Sequence, residues 1–238
     1  MSGLLLRYLG QLTLPALAVL LWKLEKRPVL DLGFRRRGPW LRNLGLGLLI
    51  GVLLVMALLS AESVAGWHVL TPLPWDQVLF VAIPGGLFFA ILVSFSEELT
   101  FRGYCLQRIE LSLGRQAGVL LSSLIFALMH LPNLVTSRLS AWQILLALCS
   151  LSLLGIALAI GFVRTGSALW FPWALHFAHN IVFGFQDAFF QVDHRGPVWW
   201  AGNAEWAPES GVLGLLLGVA LVGAVWWATP PSSNSRSF

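Results

Sequence analysis

Seven apolar stretches, at residues 3–22, 41–60, 78–104, 116–131, 142–163, 167–190 and 211–228, constrain this chain more than any other feature. Most approach the roughly 20 residues that cross a bilayer core as a helix. They are continuously apolar rather than alternating, which argues against transmembrane strands. Composition agrees: 57% of residues are hydrophobic, 11% are charged and the mean hydropathy is +0.78, whereas a soluble domain is about 25% charged. So few charges cannot cover a water-exposed surface. A soluble enzyme, a disordered chain and a disulfide-stapled secreted domain are therefore excluded. The two cysteines, Cys105 and Cys149, sit in apolar context and read as free thiols. The expected fold is an all-α polytopic transmembrane helix bundle of seven spans, or eight if residues 191–210 re-enter the membrane, as Trp199, Trp200 and Trp206 suggest. The span at 116–131 is short and needs tilt or burial. The first span is long and runs directly into a basic loop, so it reads as a retained helix rather than a leader.

The basic residues set the orientation. Twelve of the 15 Lys and Arg fall on one side of a seven-span arrangement, seven of them between the first two spans: Lys23, Lys26, Arg27, Arg35, Arg36, Arg37 and Arg42. Arg102, Arg108, Arg115, Arg164 and Arg236 follow on the same side, and only Arg7, Arg138 and Arg195 oppose them. Cytoplasmic loops carry this excess. The expected protein is a multi-pass component of the cell membrane with its N-terminus outside and its C-terminus in the cytoplasm. The net charge of +4 is then a topology signal that touches anionic lipid, and no nucleic-acid partner is implied. Trp22, Trp40, Trp75, Trp142, Trp199, Trp200, Trp226 and Trp227 sit at span ends as an interfacial belt. Gly47 and Gly51, and Gly214 and Gly218, have the spacing of close helix contacts. The tail from Pro230 to Phe238 is expected to be disordered.

Three polar groups interrupt the apolar pattern: Glu97-Glu98 with Arg102, His130 after Phe126, and His176-Phe177-Ala178-His179-Asn180. Charged and His side chains in a span usually face a protein cavity and mark function. Glu98 and Arg102 have the favourable i, i+4 order for an ion pair. Glu97 points about 100° away and is left for other work. The plainer alternative is that both Glu mark the end of the span. His176 and Asn180 share a helix face, with His179 in reach and Asp187 further along the stripe. Pro172 is expected to kink this helix. Depth tests the idea. Glu97 lies about 16 Å in from Arg108, His176 about 18 Å from Arg164, and His130 at most about 22 Å from Arg115, at 1.5 Å per residue. The three can meet mid-membrane provided the helix runs on past Glu97, through Gly103.

A Glu, two His and an Asn in a buried cavity suit hydrolysis: a carboxylate takes a proton from water, a His shares it, and a second His and the Asn donate to an oxyanion. The same groups are also an alternative zinc set, through Glu97, His130 and His176, although Asn is a poor zinc ligand and no His-Glu-x-x-His pair is present.

In order, Glu97-Glu98-x-x-x-Arg102, Phe126-x-x-x-His130 and His176-x-x-x-Asn180 resemble the CPBP intramembrane proteases, the Abi or CAAX-protease type-2 family, over roughly residues 80–190. The resemblance implies an intramembrane endopeptidase that acts on membrane-associated proteins or peptides. Glu97 would activate water, His130 would position it, and His176 and Asn180 would stabilise the oxyanion, with Glu98, Arg102 and Phe126 in support. A metal-free mechanism is implied over a zinc one. The chain then divides into N-terminal helices with the basic loop (1–79), the catalytic core (80–190), and an outer loop, last helix and polar tail (191–238). A non-enzymatic immunity or scaffold protein on the same fold is the alternative. A proton-coupled carrier ranks last, because no inverted repeat is visible.

Overall fold

The computed structural model describes residues 2–36, 39–79, 83–203, 206 and 208–230. Arg37, the polar tail after Pro230 and the Asp187 side chain lie outside the described residues. The chain forms α1 (Ser2–Leu24), α2 (Trp40–Val64), strand β1 (His68–Pro72), the short α3 (Trp75–Gln77), α4 (Ile83–Glu98), α5 (Gln107–Leu113), α6 (Arg115–Leu128), α7 (Leu131–Thr136), α8 (Ala141–Arg164), α9 (Trp170–Phe189), strand β2 (Phe190–His194), α10 (Val198–Ala201) and α11 (Val212–Ala228). A helix stands at each of the seven apolar stretches. Among the described residues, four helical segments are long and apolar enough to cross a bilayer: Trp40–Val64, Ile83–Leu113, Arg115–Thr136 and Ala141–Arg164. The chain is an integral membrane protein, and its exterior shows this. Leu24, Leu53, Phe88 and Leu120 are exposed, whereas Glu98 and Arg102 are wholly buried. This inverts a water-soluble surface and suits helices facing lipid.

The helix does continue past Glu97. Leu99–Leu106 is π-helical and joins α4 to α5 without a break. Gly103 serves close approach rather than termination: a Cβ there would lie 2.7 Å from Leu32 O. The short apolar stretch at 116–131 is lengthened by α7, which follows α6 after a break at Met129-His130.

Gly47 and Gly51 act as their spacing implies. A Cβ on Gly47 would strike Phe171 O, and one on Gly51 would lie 2.6 Å from the Ala178 Cβ. Rising numbers on α2 meet rising numbers on α9, so the two helices run in the same direction. Their C-terminal ends deliver β1 and β2 side by side as an antiparallel ribbon, with His68 opposite His194 and Pro72 opposite Phe190. This ribbon departs from the all-α expectation. Two short segments far apart in sequence satisfy each other's backbone groups, a pairing no local pattern announces.

Two expectations are corrected. Trp22 is buried, donates Nε1–H to Pro28 O at 2.9 Å and packs edge-on to Tyr104, so it belongs to the core and not to the belt. Pro172 falls in the first turn of α9, with no preceding helical turn for its ring to bend against; a missing N–H costs nothing there.

Candidate active site

The helices enclose a cavity of about 810 Å³. Glu97, Phe126, His130, His176 and Asn180 line it, together with apolar walls from Val93, Leu151, Leu154 and Phe183. Three separate helical segments therefore bring the sequence-selected residues to one place.

Glu98 and Arg102 form the base of the site. Arg102 donates to Glu98 Oε1 at 2.8 Å and to Gly155 O at 3.0 Å, and its guanidinium lies 4.8 Å from the Phe126 ring centre. His176 Nδ1 lies 2.9 Å from the same Glu98 oxygen. A carboxylate accepts only, so Nδ1 carries a proton and donates. Glu98 thereby fixes the ring that carries Nε2 toward Glu97, 3.7 Å from its Oε2. Phe126 packs against Arg102 and both imidazoles, with ring centres 5.0 Å from His130 and 5.9 Å from His176.

The position of His130 follows from a helix end. Its backbone N–H bonds to Ala127 O, one residue short of the α-helical partner. Phe126 O is left to accept from the His130 side chain, whose Nδ1 lies 2.9 Å away. That bond assigns the proton to Nδ1 and leaves the Nε2 lone pair as an acceptor.

The structure adds residues that the sequence reading missed. All five histidines of the chain line this one cavity: His68, His130, His176, His179 and His194. Glu62, just beyond the second apolar stretch, is in the last turn of α2 and buried, with Oε2 3.6 Å from His68 Nε2. The His68 and His194 rings meet edge-on at 4.6 Å across the ribbon. Burial, followed by the neighbouring His194, pushes the His68 imidazole down to about 4. Glu209, from the segment before α11, lies 3.7 Å from His179 Nε2. Burial pushes its carboxyl up to about 7, with a smaller contribution from Glu62, while a backbone hydrogen bond opposes the rise. Trp206 closes one wall, donating to Ser137 Oγ at 2.9 Å. Only the ribbon pairing and loop packing bring these groups inward. A lone acid in apolar context was the one signal in the sequence.

The alternative zinc set, Glu97, His130 and His176, shares the cavity. Among the described residues, however, no three His, Cys, Asp or Glu side chains converge closely enough to hold a metal ion.

A bundle of apolar helices around a buried carboxylate–imidazole cavity defines the class: a polytopic membrane protein with a polar site enclosed by its helices. The family model described as type II CAAX prenyl endopeptidase Rce1-like matches residues 79–182. The match covers less than half of the chain, so over this segment the chain is similar to that family, the one its motif order resembles. No curated protein and no solved structure matches the chain.

Proposed function

We propose that the protein is an intramembrane endopeptidase that cleaves membrane-associated proteins or peptides, with Glu97 as the base that activates water. One observation carries this: a carboxylate that is not engaged by the buried arginine faces His176 in the same cavity as His130 and Asn180, inside the family-matched segment. Water held between Glu97 and the His130 Nε2 lone pair gives a proton to Glu97 as its oxygen attacks the scissile carbonyl carbon. The carbonyl oxygen takes up negative charge and accepts from the Asn180 amide and from His176 Nε2. For His176 to donate there while Nδ1 faces Glu98, the ring carries both protons, and the Glu98 carboxylate is placed to support that form. The C–N bond then breaks, and the proton held by Glu97 passes to the leaving amine. The apolar walls suit aliphatic substrate side chains, in keeping with the CAAX peptides named in the family description. The arrangement proposed is seven spans with the C-terminus cytoplasmic; the parallel course of α2 and α9, both even-numbered spans, supports it.

The test compares peptide termini in membranes of cells that make wild type or Glu97→Gln at equal abundance. New termini confined to wild type, insensitive to a chelator, are expected. Identical termini from two folded, abundant proteins would sink the proposal in favour of a scaffold or immunity role. Chelator-sensitive cleavage would restore zinc at Glu97, His130 and His176.

A further inference from the structure

His179 has no part in that reaction, yet it is buried on the helix that carries His176 and Asn180. Its two ring nitrogens face two different groups. Nδ1 lies 3.5 Å from Asn180 Oδ1, and Nε2 lies 3.7 Å from Glu209 Oε1. Phe183 packs edge-on to the ring at 5.0 Å. Glu209 comes from beyond the family-matched segment, so nothing in the motifs requires it.

The proton positions follow from chemistry. An amide oxygen only accepts, so the contact with Asn180 is attractive only when Nδ1 carries a proton. Nε2 faces the Glu209 carboxyl at 3.7 Å, just outside hydrogen-bond distance, and a small closing movement lets the two share a second proton. Either a carboxylic acid donates to a neutral ring or an imidazolium donates to a carboxylate, and Nδ1–H is retained in both cases. The terminal torsion of an Asn side chain is broad and two-fold, so its oxygen and NH2 exchange places readily. The exchanged orientation would set the NH2 against Nδ1–H, donor against donor. The observed orientation leaves the NH2 directed away from His179, available as an oxyanion donor.

We propose that His179 and Glu209 are positioning residues: Glu209 holds the His179 ring, and His179 holds the Asn180 amide with its NH2 presented to the reacting carbonyl. This rests on the reading of Asn180 as an oxyanion donor. Removing one such donor costs about 10²–10³ in kcat. Releasing its orientation costs part of that, on the order of tenfold, and leaves KM nearly unchanged because the bond strengthens only in the transition state.

The experiment uses the purified full chain, a farnesylated CAAX-type peptide with an internal quencher, and a denaturant titration of every variant. Glu209→Leu is expected to lower kcat about tenfold with KM within about twofold. Glu209→Gln, which can donate to Nε2, should recover to within about threefold of wild type. In an Asn180→Ala background Glu209→Leu should cost nothing further, since both changes act on one amide. Should Glu209→Leu fail to fold, His179→Asn against His179→Gln decides: an Asn amide reaches the Nδ1 position and a Gln amide the Nε2 position, so Asn should retain the higher kcat. A folded Glu209→Leu with unchanged kcat, a full loss on top of Asn180→Ala, or Gln exceeding Asn would each overturn the proposal. Glu97→Gln in the same assay separates the two levels. A folded wild type without turnover defeats the endopeptidase reading itself and turnover by Glu97→Gln defeats Glu97 as its base, whereas an active wild type and inactive Glu97→Gln beside an unaffected Glu209→Leu defeat only the positioning role.

Discussion

Arg102→Met keeps most of the side-chain volume and removes only the charge and the hydrogen bonds. The wild-type guanidinium is fully buried, 2.8 Å from Glu98 Oε1 and 3.0 Å from Gly155 O. Glu98 is equally buried, and its Oε2 has no hydrogen-bond partner among the described residues. After the substitution the carboxylate keeps His176 as its hydrogen-bond partner among the described residues. Breaking a buried pair from one side costs about 3–5 kcal/mol, and the bond to Gly155 O adds about 1 kcal/mol. The expected loss is therefore about 4–6 kcal/mol. Glu98→Gln with Arg102→Met removes the stranded charge and leaves a neutral amide that is imperfectly bonded, a cost of about 1–3 kcal/mol. The double variant should thus be more stable than Arg102→Met alone, which is the reverse of additive damage. Unfolding in mild detergent titrated with SDS, followed by tryptophan fluorescence, reads both differences. If Arg102→Met unfolds within about 1 kcal/mol of wild type, or if the double variant is no more stable than the single, the buried pair does not organise the site as argued.

Gly51→Val places a branched side chain where a Cβ already comes within 2.6 Å of Ala178, and a loss of about 1–3 kcal/mol or more is expected from the parted α2 and α9; unchanged SDS unfolding would contradict that close approach. His130→Phe keeps the ring packing against Phe126 and Trp206 and loses both nitrogens. Turnover should fall about 10²–10⁴-fold with stability within about 1 kcal/mol, so a cleaving His130→Phe would remove that residue from the water site. The pH dependence of stability carries two opposing slopes. Between about 4.5 and 7 the folded chain holds a proton on Glu209 that the unfolded chain has lost, so this contribution falls as pH rises. Between about 4 and 6.5 the folded chain lacks a proton on His68 that the unfolded chain holds, so that contribution rises with pH. The two nearly cancel in wild type, and Glu209→Gln should uncover a rise of up to about 1.4 kcal/mol per pH unit. Parallel stability–pH curves for the two proteins, measured from pH 5 to 7, would refute the burial of Glu209.

The membrane helices were legible because lipid demands local regularity. A span must satisfy its own backbone and present apolar side chains throughout, so its signature is contiguous in sequence. The Glu98–Arg102 pair was legible for the same reason, since i, i+4 neighbours meet wherever a helix forms. That Glu97, His130 and His176 could line one cavity was legible from helical rise and the basic flanks. The Gly47–Gly51 contact was marked by its spacing, although not by its partner.

The rest required distant segments to meet. Whether Gly103 ended the third span or let Leu32 approach it depended on a turn some 70 residues earlier, which no local pattern contains. Trp22 has the position of a belt residue, but Pro28 and Tyr104 draw it inward. Glu62, His68, His194 and Glu209 belong to two stretches, 61–77 and 191–210, that look like connections, and they reach the cavity because parallel α2 and α9 end together and pair their strands. The sequence by itself determined which residues could not rest in lipid, because the cost of an intramembrane charge is paid residue by residue. Only the tertiary structure decided which of them face one another and through which nitrogen or oxygen, because hydrogen-bond partners are set by three-dimensional distance and not by sequence separation.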